Sequence, residues 1–225
     1  MTKVYRIISL LCFTIVFVSN SFSAPPAGDM VTRSFSGRNA VSMSLGLLSD
    51  MNASSEISRA GVTTRSGGGG FMGALGFTHW YTDRLGVDVN IGVMNAEAKT
   101  SVGPHGPRVE SAVVMPLLFG IRYQPVLLTT ANEPRVYLTA AVGPYFGMAS
   151  NVTTDWFPAT EEYTETALGA RIGVGMSFSL GRIFIVDVGA GYHLVSDFPR
   201  RIGSRENYSS PDFTLALSFV FGGMY

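Results

Sequence analysis

The sequence predicts an all-β protein, an eight-stranded antiparallel up-and-down transmembrane β-barrel. Apolar residues recur with a period of two from about residue 38 to the end of the chain, and the connections between these runs alternate between long and short. Charged residues are only 14% of 225, too few to cover a water-exposed globule of this size. The cations are also unusual for a soluble surface: Lys3 and Lys99 are the only lysines, and the rest are arginine.

The N-terminal segment reads as an address. Lys3 and Arg6 precede an apolar run from Ile7 to Val18, followed by the small polar stretch 19–24, the order of a secretory signal. The run is too short for a comfortable span of ~20 residues. Ser21 and Ser23 supply the small side chains that a cut after Ser23 needs, so residues 1–23 are assigned to a signal peptide, 24–37 to a periplasmic lead and 38–225 to the barrel. Cys12, the single cysteine, lies inside the apolar run, so a mature chain would have no thiol for a disulfide, nucleophile or metal.

The strands follow in order. Val41, Met43, Leu45 and Leu47 alternate with small or polar residues; a second strand runs from about Phe71 to Tyr81 with an ambiguous phase; Val87, Val89, Ile91 and Val93 form the third row. Met115, Leu117, Phe119, Ile121 and Tyr123 form the fourth, Leu138, Ala140, Val142 and Phe146 the fifth, and Leu168 through Phe178 the sixth. Phe184, Val186, Val188, Ala190 and Tyr192 form the seventh, and Phe213, Leu215, Leu217, Phe219 and Phe221 the eighth. Long connections are expected after the odd strands, including stretches of about 14 and 15 residues after the third and fifth; Thr82-Asp83-Arg84, about 10 residues after the fourth, and Gly181-Arg182-Ile183 are the short ones. That asymmetry is expected of a barrel with short periplasmic turns and long extracellular loops.

The face opposite the apolar rows is glycine, serine, alanine and a few charges, which suits a narrow lumen better than a hydrated exterior; a soluble lipocalin-like binder would reverse the two faces. Pairing through the 181–183 turn sets Gly173 across from Gly191 and Gly175 across from Gly189, leaving little side-chain volume there. Trp80, Tyr81, Tyr123, Tyr192, Phe213 and Phe221 near strand ends are expected to form interfacial girdles. Pro116 and Pro144, almost opposite each other, remove two ladder donors and suggest a shared bulge.

On these features the region from about Arg38 to Tyr225 resembles the small eight-stranded outer-membrane β-barrel proteins of Gram-negative-type bacteria, the OmpA/OmpX-type barrels. Leu217, Phe219, Phe221 and terminal Tyr225 share one phase and resemble the aromatic signal that delivers that family to the barrel-assembly machinery. The resemblance implies residence in the cell outer membrane with lipid around the barrel.

Asp88, Asn90, Arg122, Arg171, Asp187 and His193 are expected on the lumen face as a polar network, with Glu110, Glu165 and Asp212 as further members; buried charges must pair. An eight-strand interior is narrow enough for side chains to fill, which favours a plug of ion pairs over a gated path. Trp156, Phe157 and Tyr163 near one loop and Arg200 and Arg201 in another are the candidates for an extracellular ligand or protein. The expected role is structural or adhesive and non-enzymatic, without cofactor or metal. The alternatives are a narrow pore or small-ligand transporter and a lipid-modifying hydrolase using His193 with Ser196, whose side chains point to opposite faces of a continuing strand. Near-balanced charge argues against nucleic acid.

Overall fold

The computed structural model describes residues 34–49, 70–103, 106–125, 134–153, 159–181, 183–203 and 205–222, with side chains described outside 95–111 and 151–161. The signal segment, His105, Trp156, Phe157 and Tyr225 lie outside the described residues, and the side chain of Glu110 is likewise not described. Eight strands form one closed antiparallel barrel in chain order: β1 (Asn39–Leu48), β2 (Gly70–Trp80), β3 (Leu85–Gly103), β4 (Gly106–Tyr123), β5 (Arg135–Thr153), β6 (Ala159–Leu180), β7 (Phe184–Val195) and β8 (Ser210–Phe221). Closure is made by β1 against β8, in register from Asn39↔Phe221 to Leu48↔Asp212.

The predicted faces are the observed ones. Met43, Leu45, Leu47, Leu75, Phe119, Val142, Leu168, Ile172, Phe213 and Leu215 are exposed on the outside, while the alternate residues turn inward. The ambiguous phase of β2 resolves with Phe71 and Leu75 outward and Met72, Thr78 and Trp80 inward. Such an apolar exterior is stable where hydrocarbon replaces water, and every strand has at least the ~9 residues a tilted crossing needs.

Four expectations are corrected. The long stretches placed after the third and fifth strands are largely strand: β3 to β6 run 18–22 residues, against 10–12 for the others, and only 104–105 and 154–158 separate the long pairs. The apolar alternation ends where lipid ends, but backbone pairing continues as ribbon, so the hydropathy pattern placed the boundary too early; Tyr163 consequently sits on β6 and not in a loop. No bulge joins Pro116 and Pro144: pairing lapses between Pro116↔Tyr145 and Phe119↔Val142 and resumes in the same register. The lapse follows from the missing proline donors, whereas the irregular step occurs between Met94 and Glu97 on β3. Trp80, expected at the lipid interface, is buried inside the barrel. Gly173↔Gly191 and Gly175↔Gly189 pair as expected, but the space beside them is filled from neighbouring strands. A Cβ on Gly175 would collide with the Tyr137 hydroxyl, and one on Gly191 with Arg171 and Asp212.

The short β6–β7 turn depends on Gly181, whose φ of 68° is left-handed and disfavours any side chain. It lies at the same end of the barrel as the 81–84 turn.

Candidate functional site

Among the described residues, the lumen holds two Arg–Asp networks. The first lies toward the short-turn end, where Arg122 on β4 reaches Asp187 on β7 through Nη2–Oδ1 at 2.5 Å, and its Nη1 lies 3.5 Å from Oδ2. Asp187 also accepts from Ser177 Oγ at 2.5 Å and Ser218 Oγ at 3.3 Å, and Arg122 Nη2 donates to Ser177 Oγ at 2.9 Å. The guanidinium stacks over the Tyr137 ring at 3.8 Å. β4, β6, β7 and β8 thus converge on one carboxylate, which has the donors a buried charge requires.

The second network lies toward the long-loop end. Arg171 on β6 grips Asp212 on β8 through Nε–Oδ2 at 3.0 Å and Nη2–Oδ1 at 2.6 Å. His193 on β7 places Nε2 3.3 Å from Asp212 Oδ2, close enough for charge interaction but not aligned as a hydrogen bond. Its Nδ1 lies 2.8 Å from Tyr145 Oη on β5. If Tyr145 donates to Nδ1, the imidazole proton sits on Nε2 and faces the carboxylate.

Between the networks lies a cavity of about 110 Å³ lined in part by Ser42, Asp88, Asn90, Thr139 and Thr214. Apolar side chains pack together at both ends of the barrel. Toward the long loops, Phe198, Ile202 and Tyr208 of the 196–209 segment pack with Met94, Val114, Leu118 and Tyr145, and Ile202 is 0% exposed. Gly147 gives Ile202 its seat, since a Cβ there would overlap it. At the other end Phe35, just before β1, packs with Ala40, Trp80, Ile185 and Val220. Asp83 in the 81–84 turn ties that strap down, accepting from Phe35 N at 2.6 Å, Ser34 Oγ at 2.8 Å and Ser36 N at 3.2 Å, while Arg135 stacks over the Phe35 ring at 4.3 Å. Burial works against the charged form of Asp83, but these hydrogen bonds and the nearby Arg135 charge outweigh it and hold the carboxyl below its ordinary 3.8.

Asp88, Asn90, Arg122, Arg171, Asp187 and His193 line the lumen cavity, and Asp212 is bound to Arg171 beside it; Glu165 keeps the inward phase but lies level with Gly147 above the second network. They form two groups and not one. Tyr137, Tyr145, Ser177 and Ser218, which sequence reasoning did not single out, complete the groups; the glycine pairs were the available signal, because a row of missing side chains needs large neighbours. His193 and Ser196 do not meet: Ser196 is exposed, and its Oγ accepts from Leu168 N. Among the described residues no three His, Cys, Asp or Glu side chains converge as a metal site. On the 196–209 segment, Arg200 stacks over Tyr163 at 3.9 Å, Tyr163 Oη donates to the Arg201 carbonyl at 2.6 Å, and Arg201 pairs with Glu206 at 2.8 Å. Leu217 is exposed on the outer face, and Phe219 and Phe221 share its phase.

No family model and no curated protein sequence matches the chain. Among solved structures, the attachment invasion locus protein Ail of Yersinia pestis, in complex with the heparin analogue sucrose octasulfate, aligns with a TM-score of 0.51 at 12% identity, over 83% of this chain and 99% of that one. The outer membrane protein OprG from Pseudomonas aeruginosa aligns at 0.49 and 12% identity, over 86% of this chain and 100% of that one. The closed eight-strand wall, the apolar exterior and the polar interior agree with this likeness, and the chain has the fold of the small eight-stranded outer-membrane β-barrels.

Proposed function

We propose that the chain is an integral protein of the outer membrane, non-enzymatic, with a structural or surface-interaction role carried by its long-loop end. The observation that supports this most is the packing of buried apolar side chains at both ends of the barrel, Phe198, Ile202 and Tyr208 at one and Phe35 and Trp80 at the other. A barrel so filled acts as a rigid mount for what projects from it. The arginines on the 196–209 segment suit an anionic partner, and a sulfated sugar of the kind held by the Yersinia barrel is the first probe to try. Residues 1–23 would act as the cleaved signal, and Leu217, Phe219, Phe221 and Tyr225 would engage the assembly machinery.

The test has two parts. Detergent-extracted outer-membrane fractions should give a band whose gel mobility changes on boiling, and the purified barrel in a planar bilayer should stay electrically silent. A soluble, unshifted protein would defeat the membrane assignment. Steady single-channel conductance would replace the structural role by the narrow-pore reading, which the polar cavity between the networks supports. The hydrolase reading has less support, because His193 and its hydroxyl neighbour Tyr145 are 1% and 0% exposed and thus out of reach of a lipid.

A further inference from the structure

The segment between β7 and β8 has two sides. Its inner side sends Phe198, Ile202 and Tyr208 into the apolar nest of Met94, Val114 and Tyr145, and all three are at most 3% exposed. Its outer side carries Arg200 and Arg201, both exposed. The two sides belong to one folded unit: Phe198 N donates to the Glu206 carbonyl at 2.8 Å, Ile202 N to the Arg205 carbonyl at 2.9 Å, and Tyr208 Oη to the Ile202 carbonyl. A shift of the seated side therefore moves the arginines.

Tyr163, in the inward phase of β6, fixes both arginines from the wall. Its ring carries the Arg200 guanidinium at 3.9 Å, and its hydroxyl donates to the Arg201 carbonyl at 2.6 Å. A guanidinium stacked by one face keeps its in-plane N–H groups for an oxyanion, and a fork already held in place loses less freedom on binding. The seat below is equally exacting, since a Cβ on Gly147 would stand 2.5 Å from Ile202 Cγ1 and 3.0 Å from Phe198 Cε1. Arg201 and Glu206 pair at 2.8 Å, but that pair is open to solvent and holds little. We infer that Tyr163 and Gly147 are positioning residues for an anion site: the segment presents Arg200 and Arg201 to a polysulfated ligand only while Ile202 is seated against Gly147, so a change inside the barrel controls binding at its surface. The inference rests on the proposed surface role and adds the residues that set its affinity.

The experiment is calorimetric titration of the full chain, folded in phosphatidylcholine nanodiscs, with sucrose octasulfate at low salt, where charge contacts are least screened. Gly147→Val should weaken binding about tenfold, although the new side chain lies inside the barrel; Tyr163→Ala should do the same, and Tyr163→Phe, which keeps the stack, less. Adding Ile202→Ala to Gly147→Val restores the room beneath the segment and should recover most of the affinity, which a general loss of folding would not. Gly147→Val with wild-type affinity overturns the inference and leaves the surface role standing, as does a double variant no better than Gly147→Val alone. Binding that survives Arg200→Ala combined with Arg201→Ala also overturns it, because the ligand then sits elsewhere. A wild-type chain that binds no sucrose octasulfate overturns the inference and the anion reading together.

Discussion

The two Arg–Asp networks use the same pair of residue types, but they differ in what they join. Arg122 and Asp187 stand on β4 and β7, 65 residues and three strands apart, so their contact crosses the lumen and braces walls that no backbone ladder connects. Arg171, His193 and Asp212 stand on three successive strands, β6, β7 and β8, which the sheet already holds together. A brace contributes to closure, whereas a pair between near neighbours mainly settles its own charges. The chain should therefore suffer more from losing the first than the second.

Asp187→Ala is the strongest test, since it takes from the buried Arg122 guanidinium its hydrogen-bonded carboxylate, leaving only the charge of Asp88 nearby, and removes the acceptor of Ser177 and Ser218; a loss of about 3–5 kcal/mol is expected in urea unfolding followed by the folded band. Arg171→Ala should cost less, about 1–3 kcal/mol, because the Arg171 side chain is 20% exposed and the strands it joins stay held by their ladders. If the second variant loses as much as the first, the distinction between brace and neighbour pair is wrong. Phe35→Ala sharpens the comparison from outside: burial of ~1.5–3 kcal/mol is given up, yet only the strap should open. Proteolysis near residue 35 should accelerate while the global unfolding midpoint holds.

The smallest effect is acid release of the strap. The folded value of Asp83 is depressed, so its contribution is complete above 3.8 and is lost as pH falls below that through the folded value. Fluorescence of Trp80 in a Trp156→Phe background should change only in that acidic window, and Asp83→Asn should abolish the change. A transition near neutrality instead would assign the strap to another group.

Strand phase was legible everywhere except β2, because lipid outside and a narrow lumen inside impose opposite demands on alternate residues, as at Phe213 and Leu215 against Asp212 and Thr214. The lumen membership of Arg122, Asp187 and Arg171 followed from the same alternation. Their partners did not, because which side chain faces which across a barrel depends on closure and stagger, and no local pattern encodes that. Tyr145 and Tyr137 looked like ordinary strand aromatics; their roles are set by Gly169, Gly175 and Gly189 on other strands, which leave them room. Trp80 was misplaced for a related reason: one residue before a turn, either face is available, and contact with Phe35 decides it. The strap was unreadable because a Ser-rich lead has no periodicity, and its order comes from Asp83, 48 residues downstream of Phe35.

The unequal strands have a further consequence. β3 to β6 exceed the others by about six or more residues, on the order of 20 Å of extra height at ~3.3 Å per residue, so the wall rises on one flank only. The segment carrying Arg200 and Arg201 leans on the inner side of that rise through Tyr163 and Gly147. Among the described residues, a partner arriving from the tall flank meets a fence of backbone that β1, β2 and β8 do not raise on the other side. The barrel thus has a front and a back, and its lateral orientation among neighbours decides what it can touch.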